Sequence, residues 1–367
     1  MTEWWVAAGA EEAARANLRW TVQPVPVDAS GKNWPDSGTL LVHYTQYGYV
    51  GGGIPWRLVA GLRRWRRKAE SLELRAKSQK LGTQNSEANI SQLIANGHEA
   101  RRLVVFFHET WLEGPPWQRR GLVAPFARWC ARELARSADV VVTNCEKHAA
   151  QLADVCNVTV LPVPANIEPG GGAAREAKGE RRKAKGEKLR VVIFGLPETR
   201  LRMLRAHRAF IVWLVARGGL GELVLLGAGE ETHRFAVAGM RLAKELAGGA
   251  VRRVGEMDEA GVSAELSRAD LGLSAYAEDE VGKSCTLAAL FAHGCPVGCS
   301  GHDAGGLAFD LSPGADGSPR DWPAWLDANV CAEREAFVAA YVAESLEWRT
   351  HAERLAELVN QGQMLKN

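Results

Sequence analysis

Short apolar runs rich in β-branched residues recur along the 367-residue chain, and each is followed by a polar or glycine-rich turn and a helical pattern. Parallel strands need long crossover connections, usually helices, so this alternation is typical of βα units. The predicted strands of the first half are 39–44, 103–108, 139–143 and 158–161. Those of the second half are 190–194, 222–226, 251–254, 271–274 and 296–299. The sequence predicts an α/β fold with two doubly wound halves.

A polar segment separates the two halves. Residues 169–188 contain no large apolar side chain and carry seven basic and three acidic groups. Such a segment cannot bury a face, so we predict a basic, glycine-rich linker. We expect an N-terminal domain over 1–168 with a polar insertion at about 69–100, a C-terminal domain over 189–331 and a helical segment over 332–367.

Composition excludes several classes of protein. Hydrophobic residues make up 46% and charged residues 24% of the chain, which is the balance of a globular protein. Its 45 Lys and Arg against 43 Asp and Glu give a formal net charge of +2, so we expect no nucleic-acid partner. The chain has no apolar run of eighteen residues and opens without the pattern of a signal peptide. We therefore predict a cytoplasmic protein.

The seven cysteines are scattered and include no C-x-x-C pair, which argues against a disulfide framework and a zinc ribbon. One cluster, Cys285, Cys295, Cys299 and His302, carries ligand types that zinc accepts, but its spacing fits no familiar zinc module. Cys295 and Cys299 bound an apolar strand pattern in which cysteine serves as a small hydrophobe. The sequence favours buried cysteines over a metal site.

Candidate site residues of the first half follow its predicted strands, because open parallel sheets bind ligands beyond the carboxyl ends of their strands. His108 and Glu109 follow a buried strand and are candidates for catalysis, with a structural histidine as the alternative. Tyrosines and a glycine triplet follow strand 39–44. Glycines allow close approach of a ligand, and tyrosines stack on or hydrogen-bond to sugars. The candidates there are Tyr47, Tyr49, Gly52 and Gly53.

A helix start in the second half is a candidate anion site. Ser284 or Thr286 can cap a helix that runs to about His293, and free backbone N–H groups beside Lys283 suit a diphosphate. An ordinary capped helix is the alternative. The upstream glycine and strand that a P-loop requires are missing, so the segment is no P-loop.

An arginine-rich helix after strand 190–194 is a further candidate. Arg200 and Arg202 lie near the strand end, where guanidinium groups can neutralise phosphate charge. A solvated arginine face is the alternative.

Taken in order, these segments resemble bacterial glycosyltransferases of the GT-B fold, specifically the family 4 type. The resemblance covers about residues 39 to 300 and rests on Phe107-His-Glu109, Val192-Ile-Phe-Gly195, Lys283-Ser-Cys-Thr-Leu287 and His293-Gly-Cys-Pro-Val297, together with parts of 47–55, 141–146 and 269–274. It implies two Rossmann-like domains that face each other across a cleft. It also implies hexose transfer from a nucleoside diphosphate sugar to a carbohydrate or lipid-linked acceptor, with retention of configuration and without a metal or other cofactor, in polysaccharide or glycoconjugate synthesis.

The resemblance also implies roles for particular residues. Positive side chains and a helix N-terminus would stabilise the diphosphate leaving group. The implied catalytic residues are His108, Glu109 and Arg200, and the implied diphosphate ligands are Arg202, Lys283, Ser284, Cys285 and Thr286. The nucleoside would contact Glu256, Met257 and Glu280, and the acceptor or sugar would contact Tyr47, Tyr49, Gly52 and Gly53.

The sequence departs from the family pattern at several positions, among them the following three. Ala289 stands where a ribose-binding Glu is expected, Leu196 at the position of an Arg and Leu201 at that of a Lys. One alternative is therefore a non-catalytic sugar- or nucleotide-binding relative that acts as a scaffold. Another is a nucleotide-sugar epimerase, for which Glu109 is the one obvious carboxylate.

Residues 55–68 predict an amphipathic helix with a basic end and two tryptophans. Such a helix can rest on anionic lipid at the inner face of a membrane, which would suit a lipid-linked acceptor. The favoured alternative is a packed helix with a solvated basic end.

Overall fold

The structure is a computed structural model that describes residues 39–44, 56, 58–67, 102–111, 117, 119–169, 188–230, 232–314 and 328–364. Contacts within the chain divide it into two compact units. Unit 1 comprises Met1–Pro162 and Ala352–Asn367, and unit 2 comprises Val163–His351. The C-terminal residues therefore belong with the N-terminal unit.

Strands and helices alternate along the described residues. The strands are β1 (Thr39–Tyr44), β2 (Arg102–Phe107), β3 (Val140–Thr143), β4 (Thr159–Val160), β5 (Leu189–Phe194), β6 (Leu220–Leu226), β7 (Val251–Val254), β8 (Leu271–Leu273), β9 (Val297–Cys299) and β10 (Phe309–Asp310). The helices are α1 (58–67), α2 (Arg119–Ser137), α3 (Glu146–Leu152), α4 (Pro197–Ala206), α5 (Arg208–Ala216), α6 (Arg234–Ala247), α7 (Glu259–Ser267), α8 (Cys285–Ala292), α9 (Ala328–Tyr341) and α10 (Trp348–Met364). Short helical turns lie at Gly248–Ala250, Glu278–Lys283 and Val342–Leu346.

Unit 1 contains a parallel sheet in the order β1-β2-β3-β4. Every residue of β2 is buried, because helices cover both faces of the sheet. On one face Phe107 packs with Leu62 of α1 and Leu134 of α2. On the other, Phe106 packs with Leu355 of α10. The core thus lies on both sides of the central strand.

Unit 2 contains a parallel sheet in the order β10-β9-β8-β5-β6-β7. Alternate residues of β5 face opposite cores. Val192 and Phe194 pack in a core with α7, α8 and α9, and Val191 and Ile193 pack in a core with α4, α5 and α6. The run Leu189–Phe194 is therefore continuously apolar except for Arg190, as expected for a strand covered on both faces.

The predicted α/β fold with two parallel sheets is confirmed. All nine predicted strands are present, and their ends differ from the predicted bounds by at most two residues. The structure adds β10, which has two residues and pairs with β9. A strand of two residues is too short to show an apolar period, so the sequence pattern did not reveal it.

The division between the units precedes the predicted linker. The N–H of Val163 donates to the carbonyl of Gly282 (2.8 Å), the N–H of Ala165 donates to that of Leu346 (3.1 Å), and Ile167 packs on the core of unit 2. Residues 163–169 thus belong to unit 2 by their contacts. Residues 170–187 lie outside the described part of the chain, so the domain bounds drawn from the sequence stay a prediction.

Helix α1 has one core face and one exposed face. Leu58, Leu62 and Trp65 are buried in the core of unit 1, and Arg64 and Arg67 are exposed. Residues 58–67 thus form a helix with one packed face and a basic side on which Arg66 is paired with Asp139, and the contact with lipid stays a prediction. Among the residues that the structure describes, no helix has both the length and the apolar character needed to cross a bilayer.

Candidate functional site

The topology of unit 2 locates a candidate binding site. From β5 the chain adds β6 and β7 on one side, and then returns to add β8, β9 and β10 on the other. Strand order therefore reverses between the neighbours β5 and β8. Ligands of doubly wound sheets bind in the crevice outside the carboxyl ends of the strands at such a reversal. The segments that follow β5 and β8 are therefore the ones that would contact a ligand.

The turn after β5 brings two helix N-termini together. Gly195 has a φ of +145°, and a Cβ atom placed on it would lie 3.3 Å from Cγ2 of Thr199 in α4 and 4.0 Å from Cγ2 of Thr286 in α8. Leu196, the N-cap residue of α4, has no side-chain acceptor for the first N–H groups of that helix. The positive ends of both helix dipoles thus flank a glycine turn, which is an arrangement suited to an anion.

The start of α8 is capped as the sequence predicted. The N–H of Leu287 donates to Oγ of Ser284 (3.2 Å), and this oxygen also lies 3.1 Å from Oγ1 of Thr286. Cys285 between them is half-buried, and burial raises the pKa of its thiol, so it is protonated at neutral pH. The hydroxyl of Thr286 and the first N–H groups are the polar groups that an anion at this helix end would contact.

Lys283 forms an ion pair in the segment that precedes α8. Its Nζ donates to Oε1 of Glu280 (2.8 Å), and both side chains are partly buried. The pair joins two residues to which different roles were predicted, Lys283 for the diphosphate and Glu280 for the nucleoside. A bound diphosphate would compete with the Glu280 carboxylate for the same ammonium group.

Arg200 and Arg202 of α4 lie toward different strand ends. Arg200 is buried, and its Nη1 donates to the carbonyl of Gly227 after β6 (2.6 Å). Burial, helped by the charge of Arg253, lowers the pKa of Arg200 to about 10, so it stays charged at neutral pH. Arg202 is exposed and lies over the ring of Tyr276 after β8 (5.0 Å). Arg200 therefore supports the loop, and Arg202 lies on the β8 side of the reversal.

The three departures from the family pattern have different surroundings. Leu196 is 60% exposed at the start of α4, so it presents an apolar side chain at the candidate site. Leu201 and Ala289 are buried in the core, and the carbonyl of Ala289 lies 2.7 Å from Nδ1 of His293. Neither buried residue contributes a polar group to a ligand.

Glu256 and Met257 are exposed in the turn after β7. This turn lies at the same edge of the sheet as Gly195, but two strands from β5, which corresponds to about 10 Å. Asp258 next to them caps α7 by accepting the N–H of Gly261 (2.9 Å). The two residues border the candidate site on its β6 and β7 side.

In unit 1, the structure places His108 and Glu109 directly after β2, both partly exposed. The N–H of His108 donates to the carbonyl of Tyr44 at the end of β1 (2.9 Å). Nε2 of its ring lies 2.9 Å from Nδ1 of His43. The sequence prediction of a strand-end histidine is therefore correct in position, and its catalytic role stays a prediction.

Sequence reasoning missed two residues that contact His108 and a third that contacts one of these two. These are His43 in β1, Asn144 after β3, whose Nδ2 donates to the carbonyl of His108 (3.1 Å), and His148, whose Nδ1 lies 3.2 Å from Oδ1 of Asn144. The position of His43 within an apolar strand was the one available indication. Contacts between neighbouring strands were needed to connect it to His108.

Several residues singled out from the sequence are not found at either candidate site among the described residues. Tyr47, Tyr49, Gly52 and Gly53 lie outside the described residues. Cys295 and Cys299 are buried in the core of unit 2, and Nε2 of His302 is hydrogen-bonded to the carbonyl of Tyr276 (2.7 Å). In the described part of the chain, no group of three or more His, Cys, Asp or Glu side chains is arranged to hold a metal ion.

The turn after β6 has a backbone conformation that favours glycine at position 227, and a substitution there tests this requirement. Gly227 has a φ of +123°, and a Cβ there would lie 2.6 Å from the carbonyl oxygen of Gly195. We expect Gly227→Ala to lower the free energy of unfolding by about 1–3 kcal/mol, because the strained φ and the backbone clash add. Gly255→Ala is the matched control, since no atom lies within 4 Å of its added Cβ. Urea denaturation measures both, and equal midpoints for the two variants would contradict the clash.

Comparison with known proteins identifies the fold. No family model matches the chain, and no curated protein matches it. Solved structures of glycosyltransferases do match. An α,α-trehalose-phosphate synthase (UDP-forming) from Burkholderia vietnamiensis has a TM-score of 0.57 and 12% identity, over 91% of this chain and 74% of its own.

Two further solved structures of trehalose-phosphate synthases match the chain to a similar extent. The UDP-forming enzyme from Burkholderia xenovorans has a TM-score of 0.55 and 11% identity, over 97% of this chain and 78% of its own. The enzyme from Burkholderia multivorans has a TM-score of 0.56 and 10% identity, over 91% and 73%. At such identities the likeness concerns the fold alone. The chain has the fold of these GT-B glycosyltransferases, with two Rossmann-like domains.

Proposed function

We propose that this protein is a glycosyltransferase that moves a hexose from a nucleoside diphosphate sugar to an acceptor. The observation that carries the proposal is the convergence of the α4 and α8 N-termini on Gly195, at the reversal of strand order between β5 and β8. This is where a doubly wound sheet binds a nucleotide, and the helix ends supply N–H donors for its phosphates.

The same groups would promote the chemistry. When the bond between sugar and diphosphate breaks, negative charge grows on the leaving phosphate. Arg202, Lys283 and the N–H groups at the two helix ends would stabilise that charge, so the transfer needs no metal ion in this proposal. Fixed donors are effective because they need no reorganisation during the reaction.

His108 of unit 1 would contact the donor sugar near the bond that breaks, with Glu109 beside it. Transfer with retention of configuration, as the resemblance implies, is part of the proposal. The acceptor would be a carbohydrate or a lipid-linked sugar in polysaccharide or glycoconjugate synthesis.

A non-catalytic nucleotide-binding scaffold is the second candidate function. Two observations favour it: Leu196 is exposed where the family pattern has an Arg, and the family's ribose-binding Glu is replaced by the buried Ala289. Such a protein would bind the nucleotide in unit 2 and turn over no donor.

Nucleotide binding is tested first with UDP, GDP, ADP, dTDP and CDP. A ligand that binds the folded state raises the melting temperature, so one selective shift identifies the base. We expect Lys283→Ala to weaken binding by about 1–3 kcal/mol, through loss of a charged hydrogen bond. Lys244→Ala, at an exposed position of α6, is the matched control. Equal affinity of the two variants would remove Lys283 from the site.

Glu280→Gln extends this test, because the observed pairing with Lys283 and the predicted contact with the nucleoside imply opposite changes in nucleotide affinity. If its carboxylate competes with the diphosphate for Lys283, the variant binds the nucleotide about two- to fivefold more tightly. If it holds the ribose hydroxyls, the variant binds more weakly. Titration calorimetry with the selected diphosphate shows whether the affinity of the variant rises or falls.

Catalysis is tested by turnover of UDP-glucose, GDP-mannose, ADP-glucose and dTDP-glucose. We expect release of the diphosphate from one donor, and we expect His108→Ala to slow it about 100-fold or more while diphosphate affinity stays unchanged. His233→Ala, an exposed histidine at the start of α6, is the control. Tight diphosphate binding without turnover of any donor would support the scaffold.

We also propose that unit 1 contacts an anionic lipid surface. A cavity of about 320 Å³ is lined by Trp56 and three arginines of the α1 segment and by Phe126 and Trp129 of α2. Leu122, Phe126 and Trp129 follow the i, i+4, i+7 spacing of one helix face and are 70%, 41% and 43% exposed. Aromatic side chains beside exposed arginines suit the headgroup region of an anionic bilayer.

Vesicle sedimentation tests the lipid contact. We expect binding to phosphatidylglycerol vesicles that falls with added salt, and little binding to phosphatidylcholine. The double variant Phe126→Ser, Trp129→Ser should lose about tenfold or more in affinity. Val212→Ser with Val237→Ser, at exposed positions of unit 2, is the control. Equal binding of the wild type to both lipids, or of both double variants to phosphatidylglycerol, would contradict the proposal.

A further inference from the structure

His43 and His108 are neighbours because of the register between β1 and β2. His43 pairs with Phe106 across the parallel ladder, and His108 lies two residues beyond Phe106, on the same face of the sheet. Nδ1 of His43 lies 2.9 Å from Nε2 of His108. The ring centroids lie 5.2 Å apart and the ring planes differ by 20°; with only 2.9 Å between the two nitrogens, the rings meet at their edges.

A hydrogen bond between two imidazole nitrogens contains one hydrogen, which couples the tautomers of the two rings. Burial lowers the pKa of His43 to about 4, so its ring is neutral at neutral pH and carries a single N–H. If that N–H is on Nδ1, His43 donates and Nε2 of His108 accepts. If it is on Nε2, His43 accepts from His108. In either case the tautomer of a neutral His108 is coupled to the tautomer of His43.

His108 is held at three further points. Its ring stacks on Phe106, with centroids 4.6 Å apart and planes 21° apart. Its backbone N–H donates to the carbonyl of Tyr44, and its carbonyl accepts from Asn144. The backbone and one ring face are thus fixed from both neighbouring strands, and the hydrogen bond to His43 defines the in-plane orientation of the ring.

We propose that His43 is a positioning residue for His108, which it holds through the bond between Nδ1 and Nε2 and so gives one ring orientation and one tautomer toward a donor sugar. This inference rests on the proposed glycosyl transfer. A partly exposed histidine without such a partner would sample several rotamers, and ordering it would cost free energy at each turnover. The bond to His43 orders the His108 ring before the donor binds. His43 does not itself contact the substrate.

Two substitutions of His43 separate the hydrogen bond from packing. His43→Asn keeps a polar atom bonded to Cγ, at the place of Nδ1, so it can keep the bond to His108. His43→Phe keeps an aromatic ring against Phe106 and removes the bond. His233→Phe, at an exposed position in unit 2, is the matched control for the change of histidine to phenylalanine.

The first measurement is the ¹⁵N NMR spectrum of the histidine rings, with His108 assigned by the loss of its signals in His108→Ala. We expect one dominant tautomer of His108 in the wild type and in His43→Asn, and a mixture of tautomers in His43→Phe. The same tautomer ratio in all three proteins would overturn the proposal. This measurement needs no donor, so it decides the inference even if the proposed transfer fails.

The second measurement is donor turnover. We expect His43→Phe to lower kcat about 10- to 100-fold with KM for the donor nearly unchanged, and His43→Asn to restore most of it. Diphosphate affinity in unit 2 should be the same in all variants. Unchanged kcat in His43→Phe would overturn the proposal, as would equal loss in both variants at equal melting temperature.

Discussion

Backbone pairing in parallel sheets is the constraint on which the rest of this structure depends. Parallel strands need crossover connections, and the crossovers place helices on both faces of each sheet. In consequence β2 and β5 are almost wholly apolar, and all strands of a sheet end at the same edge. Polar side chains and glycines therefore collect at that edge. The residues of both candidate sites, in unit 1 and in unit 2, follow strand ends for this one reason.

At the edge of unit 2, the positive side chains of the proposed site already have partners within the protein. Lys283 forms an ion pair with Glu280, and one guanidinium nitrogen of Arg200 donates a hydrogen bond to the carbonyl of Gly227. The caps of α4 and α8, Leu196 and Ser284, are neutral; the first turn of α4 carries Glu198, and at α8 the N–H of Leu287 already donates to Ser284. A diphosphate would therefore meet preorganised backbone donors first and would have to exchange with Glu280 for the ammonium group.

Much of the candidate site could be predicted because strand ends are visible in the sequence. The patterns located His108 after β2 and the segment 283–286 at the start of α8, and they offered Ser284 or Thr286 as the cap, of which the structure shows Ser284. They did not identify His43 or the pairing of Glu280 with Lys283. His43 lies 65 positions from His108, and only the register of β1 against β2 brings the two rings together. Periodicity describes which face a side chain occupies, and not which neighbour it meets there.

The sequence by itself determined the α/β class, the strands and the residues at their ends, because the apolar period follows from local backbone geometry. The tertiary structure decided the strand order, with its reversal between β5 and β8, and assigned α10 from Ala352 onward to unit 1. It also decided that Leu201 and Ala289 are core residues and that Leu196 is exposed. These outcomes depend on contacts between segments far apart in the chain, which local patterns do not encode.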